Sequence, residues 1–142
     1  KALSPLVQLL VVGLVATACG DSPAPAAPSS TTTTTATEVY VGTMAPGGTG
    51  FFSFRVVNPG SVSITLASLT SSASGNPVST AMQIGMGVPV GEGCAVTTSV
   101  TSAPSLQAQL TTRASANIYC VQLSDLGNLT AAVAFGVRIV HP

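Results

Sequence analysis

The sequence has little charge. Its 142 residues include four Lys or Arg, four Asp or Glu and one His. With no basic run there is no field to gather phosphate backbones, so nucleic acid is not expected as a partner. Trp is absent and the rings number two Tyr and four Phe, too few for a broad aromatic surface on which sugars stack. Glu–Lys pairs at helical spacing are missing, and no segment sustains a helical period. The apolar run over 6–15, broken by Gln8 and Gly13, is too short to anchor stably across a bilayer of about 30 Å. No Ser lies in a Gly-x-Ser-x-Gly elbow. The single histidine, His141, stands beside Pro142 and is expected to be frayed and exposed, without the oriented partner that a general base needs. Glu38, Glu92 and Asp125 fall in separate segments, so the sequence offers no paired carboxylates. These absences point away from an enzyme and imply no cofactor.

What is present begins at the N-terminal end. The chain opens on Lys1 and not on Met, which implies that a few residues are missing ahead of it. A basic residue, a short apolar stretch and then Ala16, Thr17 and Ala18 form the layout of a secretory signal over 1–18. The small residues immediately before Cys19 resemble the lipobox of bacterial lipoproteins, departing from it at Ala16, where that pattern usually carries Leu. The resemblance implies that the leader is cut before Cys19 and that its thiol is acylated. Two or three acyl chains hold a protein stably to a membrane where one does not. The alternative is an ordinary secretory signal with an incidental cysteine. Loss of Lys1 with the leader leaves three Arg against four acids, a net charge of −1.

Residues 19–37 read as the acylated cysteine followed by a disordered tether rich in Pro, Ser and Thr. Repeated Pro removes backbone donors, and the Thr run offers nothing to bury. Such a spacer reaches about 25 Å as a flexible coil and about 50 Å as polyproline II.

From residue 38 to 142 the pattern changes to short alternating segments between turn signals, which predicts an all-β antiparallel sandwich of about eight strands. Val39 and Val41 alternate with Tyr40. Phe52, Phe54 and Val56 share one face, opposite Ser53 and Arg55. Asn58-Pro59-Gly60 marks a turn. Val62, Ile64 and Leu66 form the cleanest half-buried pattern. Met82, Ile84, Met86 and Val88 alternate with Gln83, Gly85 and Gly87, whose glycines suggest a close backbone approach or a bulge. Further strands are expected at 95–100, at Leu106, Ala108 and Leu110, and at Tyr119, Val121 and Leu123. The last and longest places Val133, Phe135, Val137 and Ile139 on one face and Arg138 on the other.

Cys94 and Cys120 form an even pair in an exported chain, most simply a disulfide closing a loop of about 27 residues. Free thiols or a metal pair are the alternatives, although two cysteines without a further set of His or acid ligands make a poor metal site.

Two stretches carry a further resemblance. Gly42-Thr43-Met44-Ala45-Pro46-Gly47-Gly48, Phe52-Ser53-Phe54 and Pro59 to Leu66, with the close from Tyr119 to Asn128, resemble bacterial pre-peptidase C-terminal-type domains. The resemblance covers most of 38–142 and implies a jelly-roll-like sandwich. In that family the module often accompanies secreted proteases, whereas here it stands behind a lipobox.

Asp125 and Asn128 are candidate Ca²⁺ ligands, but two side chains fall short of the six to eight oxygens that the ion takes. The alternative is an Asx-type turn in which Gly127 adopts positive φ. Tyr40 and Phe51 are the two rings not assigned to the core, and so the candidate ligand-binding residues. Phe51, next to the Gly-rich 47–50, also suits a protein contact. The resulting expectation is an exported, lipid-anchored, non-enzymatic domain of the cell envelope, facing the periplasm or the exterior. Its role is structural or protein-recognising; the alternative is a carbohydrate- or peptidoglycan-binding module.

Overall fold

The structure is a computed structural model that describes residues 34–142. The leader, Cys19 and most of the tether lie outside the described residues. Eight strands make up the fold: β1 (Ala36–Met44), β2 (Thr49–Val56), β3 (Gly60–Ser71), β4 (Met82–Val90), β5 (Gly93–Ser102), β6 (Leu110–Ala114), β7 (Asn117–Ser124) and β8 (Val133–His141). They form two antiparallel four-stranded sheets, ordered β1-β8-β3-β6 and β2-β7-β4-β5. In this order β1 lies beside β8, β2 beside β7, β3 beside β6 and β4 beside β5, as when one long hairpin is rolled up into a jelly roll. The chain is thus the all-β sandwich that its alternating pattern predicts.

Alternation decides which side chains fill the interior. Val62, Ile64 and Leu66 of β3 and Val137 and Ile139 of β8 meet Met82, Ile84 and Met86 of β4 and Val121 and Leu123 of β7, all fully or almost fully buried. At about 25 cal/mol per Å² of apolar surface removed from water, these inward rows drive folding. Turn residues close the strands. Pro46 and Gly47 occupy the centre of a turn in which the Gly48 N–H donates to the Ala45 carbonyl at 2.9 Å. The φ of 70° at Gly47 is one that side chains resist.

The Cys94–Cys120 disulfide is formed, with Cα atoms 5.8 Å apart. It joins β5 to β7 across the intervening β4. Gly87 makes the crossing possible, since a Cβ there would lie 1.9 Å from the Ala95 carbonyl oxygen. A register shift between Met86 and Gly87 accompanies it, so the glycines mark both a bulge and a close approach.

Four expectations need correction. The domain begins before residue 38, because Ala36 and Thr37 already pair with His141 and Val140. Val88 is not on the core face. β4 loses β7 as a neighbour beyond Gly87 and runs on paired with β5 alone, which leaves Val88 37% exposed. Leu106 and Ala108 are not in a strand; they lie in the loop 103–109, and β6 starts only at Leu110. There the Gln109 side chain stands in for a neighbouring strand, with its amide accepting from Leu66 N–H at 2.8 Å and donating to the Leu66 carbonyl at 3.1 Å. Finally, His141 is neither frayed nor exposed.

Candidate functional site

His141 extends the inward row of Val133, Phe135, Val137 and Ile139 by one more odd position, and β8 stays paired with β1 to its end. The ring is 3% exposed and packs on Phe54 with centroids 5.2 Å apart. Its Nε2 lies 2.9 Å from Glu38 Oε1, and its Nδ1 lies 3.3 Å from the Pro142 carbonyl oxygen. Glu38 and Tyr40 share this inner face, and the Tyr40 hydroxyl donates to Glu38 Oε2. That hydroxyl also sits 2.9 Å from the Ser53 carbonyl oxygen, while its ring stacks on Phe52 at 4.8 Å. Tyr40 is therefore half-buried and not an exposed ring. Burial works against the Glu38 charge, but the hydrogen bonds from Tyr40 and His141, with the field of the imidazole, outweigh it and hold the carboxyl below its usual range. Burial, then the bond to Glu38 and its charge, push the Tyr40 phenol up to about 12. Both nitrogens of His141 face oxygens, and among the described residues no hydroxyl or thiol bonds to the ring, so the cluster acts as a clamp between β1 and β8.

Asp125 and Asn128 sit in the β7–β8 turn, with Gly127 at φ 88°. Asp125 Oδ2 accepts from Gly47 N–H at 2.7 Å, and Oδ1 accepts from Asn128 N–H at 2.9 Å and Leu129 N–H at 3.1 Å. The Gly47 bond is the largest influence holding this carboxyl below its ordinary value, with the turn amides adding to it against desolvation. Asn128 turns its amide nitrogen to the Ala81 carbonyl at 3.2 Å. Glu92 is at the far end of the sheet, beyond Val90, whereas Asp125 follows Ser124 beside Gln83. The candidate Ca²⁺ pair is instead an Asx turn that latches the β1–β2 turn to the β7–β8 turn. Among the described residues no three His, Cys, Asp or Glu side chains gather into a metal site.

Phe51 stands on the outer face of the β2-β7-β4-β5 sheet, paired with Gln122 and 38% exposed. Tyr40 faces the interior, so the two candidate rings do not form one surface.

An exposed apolar feature lies on the outer face of the other sheet. Val39 and Val41 of β1 point outward and are 65% and 74% exposed. Three cross-strand rows define this face: Val39–Arg138–Thr65, Val41–Gly136–Ser68 and Thr43–Ala134–Thr70. The central strand β8 carries only Ala134 and Gly136 between the flanking side chains, which leaves a trough along it. Its walls are Val39 and Val41 on one side, and Ala67, Ser68 and Leu106 on the other, with Leu106 85% exposed. The hollow holds about 510 Å³ at the Arg138 end and runs on into one of about 390 Å³ at the Ala134 end. Arg138 Nη2 donates to the Leu106 carbonyl at 3.2 Å, which ties the loop 103–109 to the sheet. The alternation of small and large residues in the last strand is the sequence signal for a shallow outer face. The orientation of Val39 and Val41 has no such signal, since Tyr40 between them is apolar as well.

No protein-family model matches the chain, and no curated protein is detectably similar to it.

Proposed function

We propose that this is a lipid-anchored, non-enzymatic domain of the bacterial cell envelope, of the pre-peptidase C-terminal type, that recognises another protein through the outer face of its β1-β8-β3-β6 sheet. One observation carries the recognition: two valines and a leucine stand open to solvent around a trough floored by glycine and alanine. Soluble domains cover such contiguous apolar surface unless it serves a contact. The lipobox-like Ala16 to Cys19 and the Pro- and Thr-rich spacer support the anchor. The engagement of both His141 nitrogens by neighbouring oxygens supports a role without catalysis.

The experiment has two arms. Mass spectrometry of the mature protein is expected to find an acylated Cys19 at its N-terminus; an unmodified Cys19 refutes the anchor. A photoreactive residue at position 41 is expected to give one discrete cross-linked adduct in intact cells, absent when the reactive residue is moved to Ser99, exposed on the opposite sheet. Equal labelling from both positions refutes the recognition face.

A glycan-binding reading rests on Phe51 beside Gln122, a ring and an amide on one open face. Binding on a glycan array that disappears in Phe51→Ala would establish it in place of the first reading.

A further inference from the structure

The trough differs in chemistry from one end to the other. At one end stands the Arg138 guanidinium. Its only hydrogen bond among the described residues is the one from Nη2 to the Leu106 carbonyl, and no carboxylate there pairs with it. The middle is apolar, walled by Val39, Val41 and Ala67 over Gly136. The far end carries the hydroxyls of Thr43, Ser68 and Thr70. The walls are strands on either side of β8, so they stand roughly 9–10 Å apart, and Ala134 to Arg138 spans roughly 13 Å. That width admits a single extended chain, and the length matches four residues of it.

We infer that the trough binds an extended peptide segment with apolar side chains at alternate positions and a carboxylate that meets Arg138. The inference rests on the protein-recognition reading and names the chemistry of the partner. Charge complementarity favours it: an acidic group is what the unpaired guanidinium lacks, and Arg presents a fork that takes carboxylates in two parallel bonds. Alternate spacing follows from the geometry, because every second side chain of an extended strand points the same way and Val39 and Val41 are themselves two residues apart. The hydroxyls at the far end suit the backbone amides of a peptide, whereas an acyl chain would leave them without partners.

The test uses the mature full-length protein as the cell exports it, solubilised in detergent, against an array of acetylated hexapeptides. Each carries Val or Leu at alternate positions, with Asp at one end or Asn in its place. The Asp peptides are expected to bind at least tenfold more tightly than the Asn peptides. Arg138→Gln is expected to remove that difference, so that the Asp and Asn peptides bind alike. Gly136→Val fills the floor, where only the rotatable Ser68 Oγ stands in the way of a Cβ, at 2.8 Å, and is expected to abolish binding of both sets. Val41→Thr, which keeps shape and strand preference, is expected to weaken both sets should Gly136→Val fail to fold. Binding that ignores the acid, or that Arg138→Gln leaves unaltered, overturns the inference. So does the absence of peptide binding, as does saturable binding of laurate in its place or a self-association abolished by Val41→Thr. A discrete cross-link from position 41 in cells together with a silent array would retain the recognition face and refute the extended acidic peptide.

Discussion

Asp125 joins two loops through one carboxylate, so its ionisation should be visible in stability. Its folded-state pKa lies below the unfolded value of 3.8, so the stabilisation is present above that value and is lost as pH falls through the lowered one. Asp125→Asn is expected to lower Tm at pH 7, with the melting temperatures of variant and wild type converging as pH falls through the lowered pKa. A constant difference at all pH values, measured by circular dichroism, would contradict the latch. Tyr40 gives the opposite limb. Its pKa is raised, so its contribution is complete below the ordinary value of 10 and disappears as pH rises through about 12. Ultraviolet titration of a Tyr119→Phe variant is expected to place the remaining phenol near 12. A midpoint at 10 would mean that Tyr40 does not donate to Glu38. The clamp as a whole rests on His141, and His141→Ala is expected to cost about 2 kcal/mol or more in urea unfolding, through the lost ring packing and the carboxylate left without its partner.

Among the strands, β5 depends most on covalent help. It is an edge strand paired only with β4, and the first half of that pairing folds over Gly87 toward β7. The Cys94–Cys120 bond holds it there. Replacing both cysteines by Ala is expected to cost about 3.5 kcal/mol, the chain-entropy value for a loop of this length. Urea midpoints of the two proteins, compared without reductant, measure it. A cost near zero would mean that strand pairing alone keeps β5 in place. β1 shows how a strand's faces are chosen when its sequence is ambiguous. Val39, Tyr40 and Val41 are all apolar, and alternation permits either face inside. The set that holds Glu38 and Tyr40 goes in because His141 and the Ser53 carbonyl are there to satisfy its polar atoms, and the valines are left outside.

At the scale of the whole molecule, the rolled topology makes almost every strand pairing distant in sequence. Among the described strands only β4 and β5 form a hairpin between consecutive strands; β1 with β8, β2 with β7, β3 with β6 and β8, and β4 with β7 close longer loops. Loop closure precedes the gain from such contacts, so folding is expected in the range of about milliseconds to seconds. Stopped-flow refolding from urea with the disulfide intact measures it, and a microsecond phase carrying the full amplitude would contradict this topology. The same arrangement brings the two ends of the described chain together at Ala36 and His141, so one outer face is built from the first and last strands with β3 beside them. That face carries the trough.

Much of this was determined by the order of residues alone. The inward rows of β3, β7 and β8, the turn at Asn58–Gly60, the Asx turn at Asp125 and the pairing of the two cysteines within the domain follow from side-chain alternation, backbone preference and residue content, all of them local or compositional. Tertiary structure decided what depends on which strands become neighbours. His141 is buried because β8 meets β1 along its whole length, and Leu106 stays out of a strand because the Gln109 amide takes the place beside Leu66. The trough exists because two strands far apart in sequence flank the small residues of a third. Alternation tells a strand that it has two faces; only its neighbours determine which one is covered.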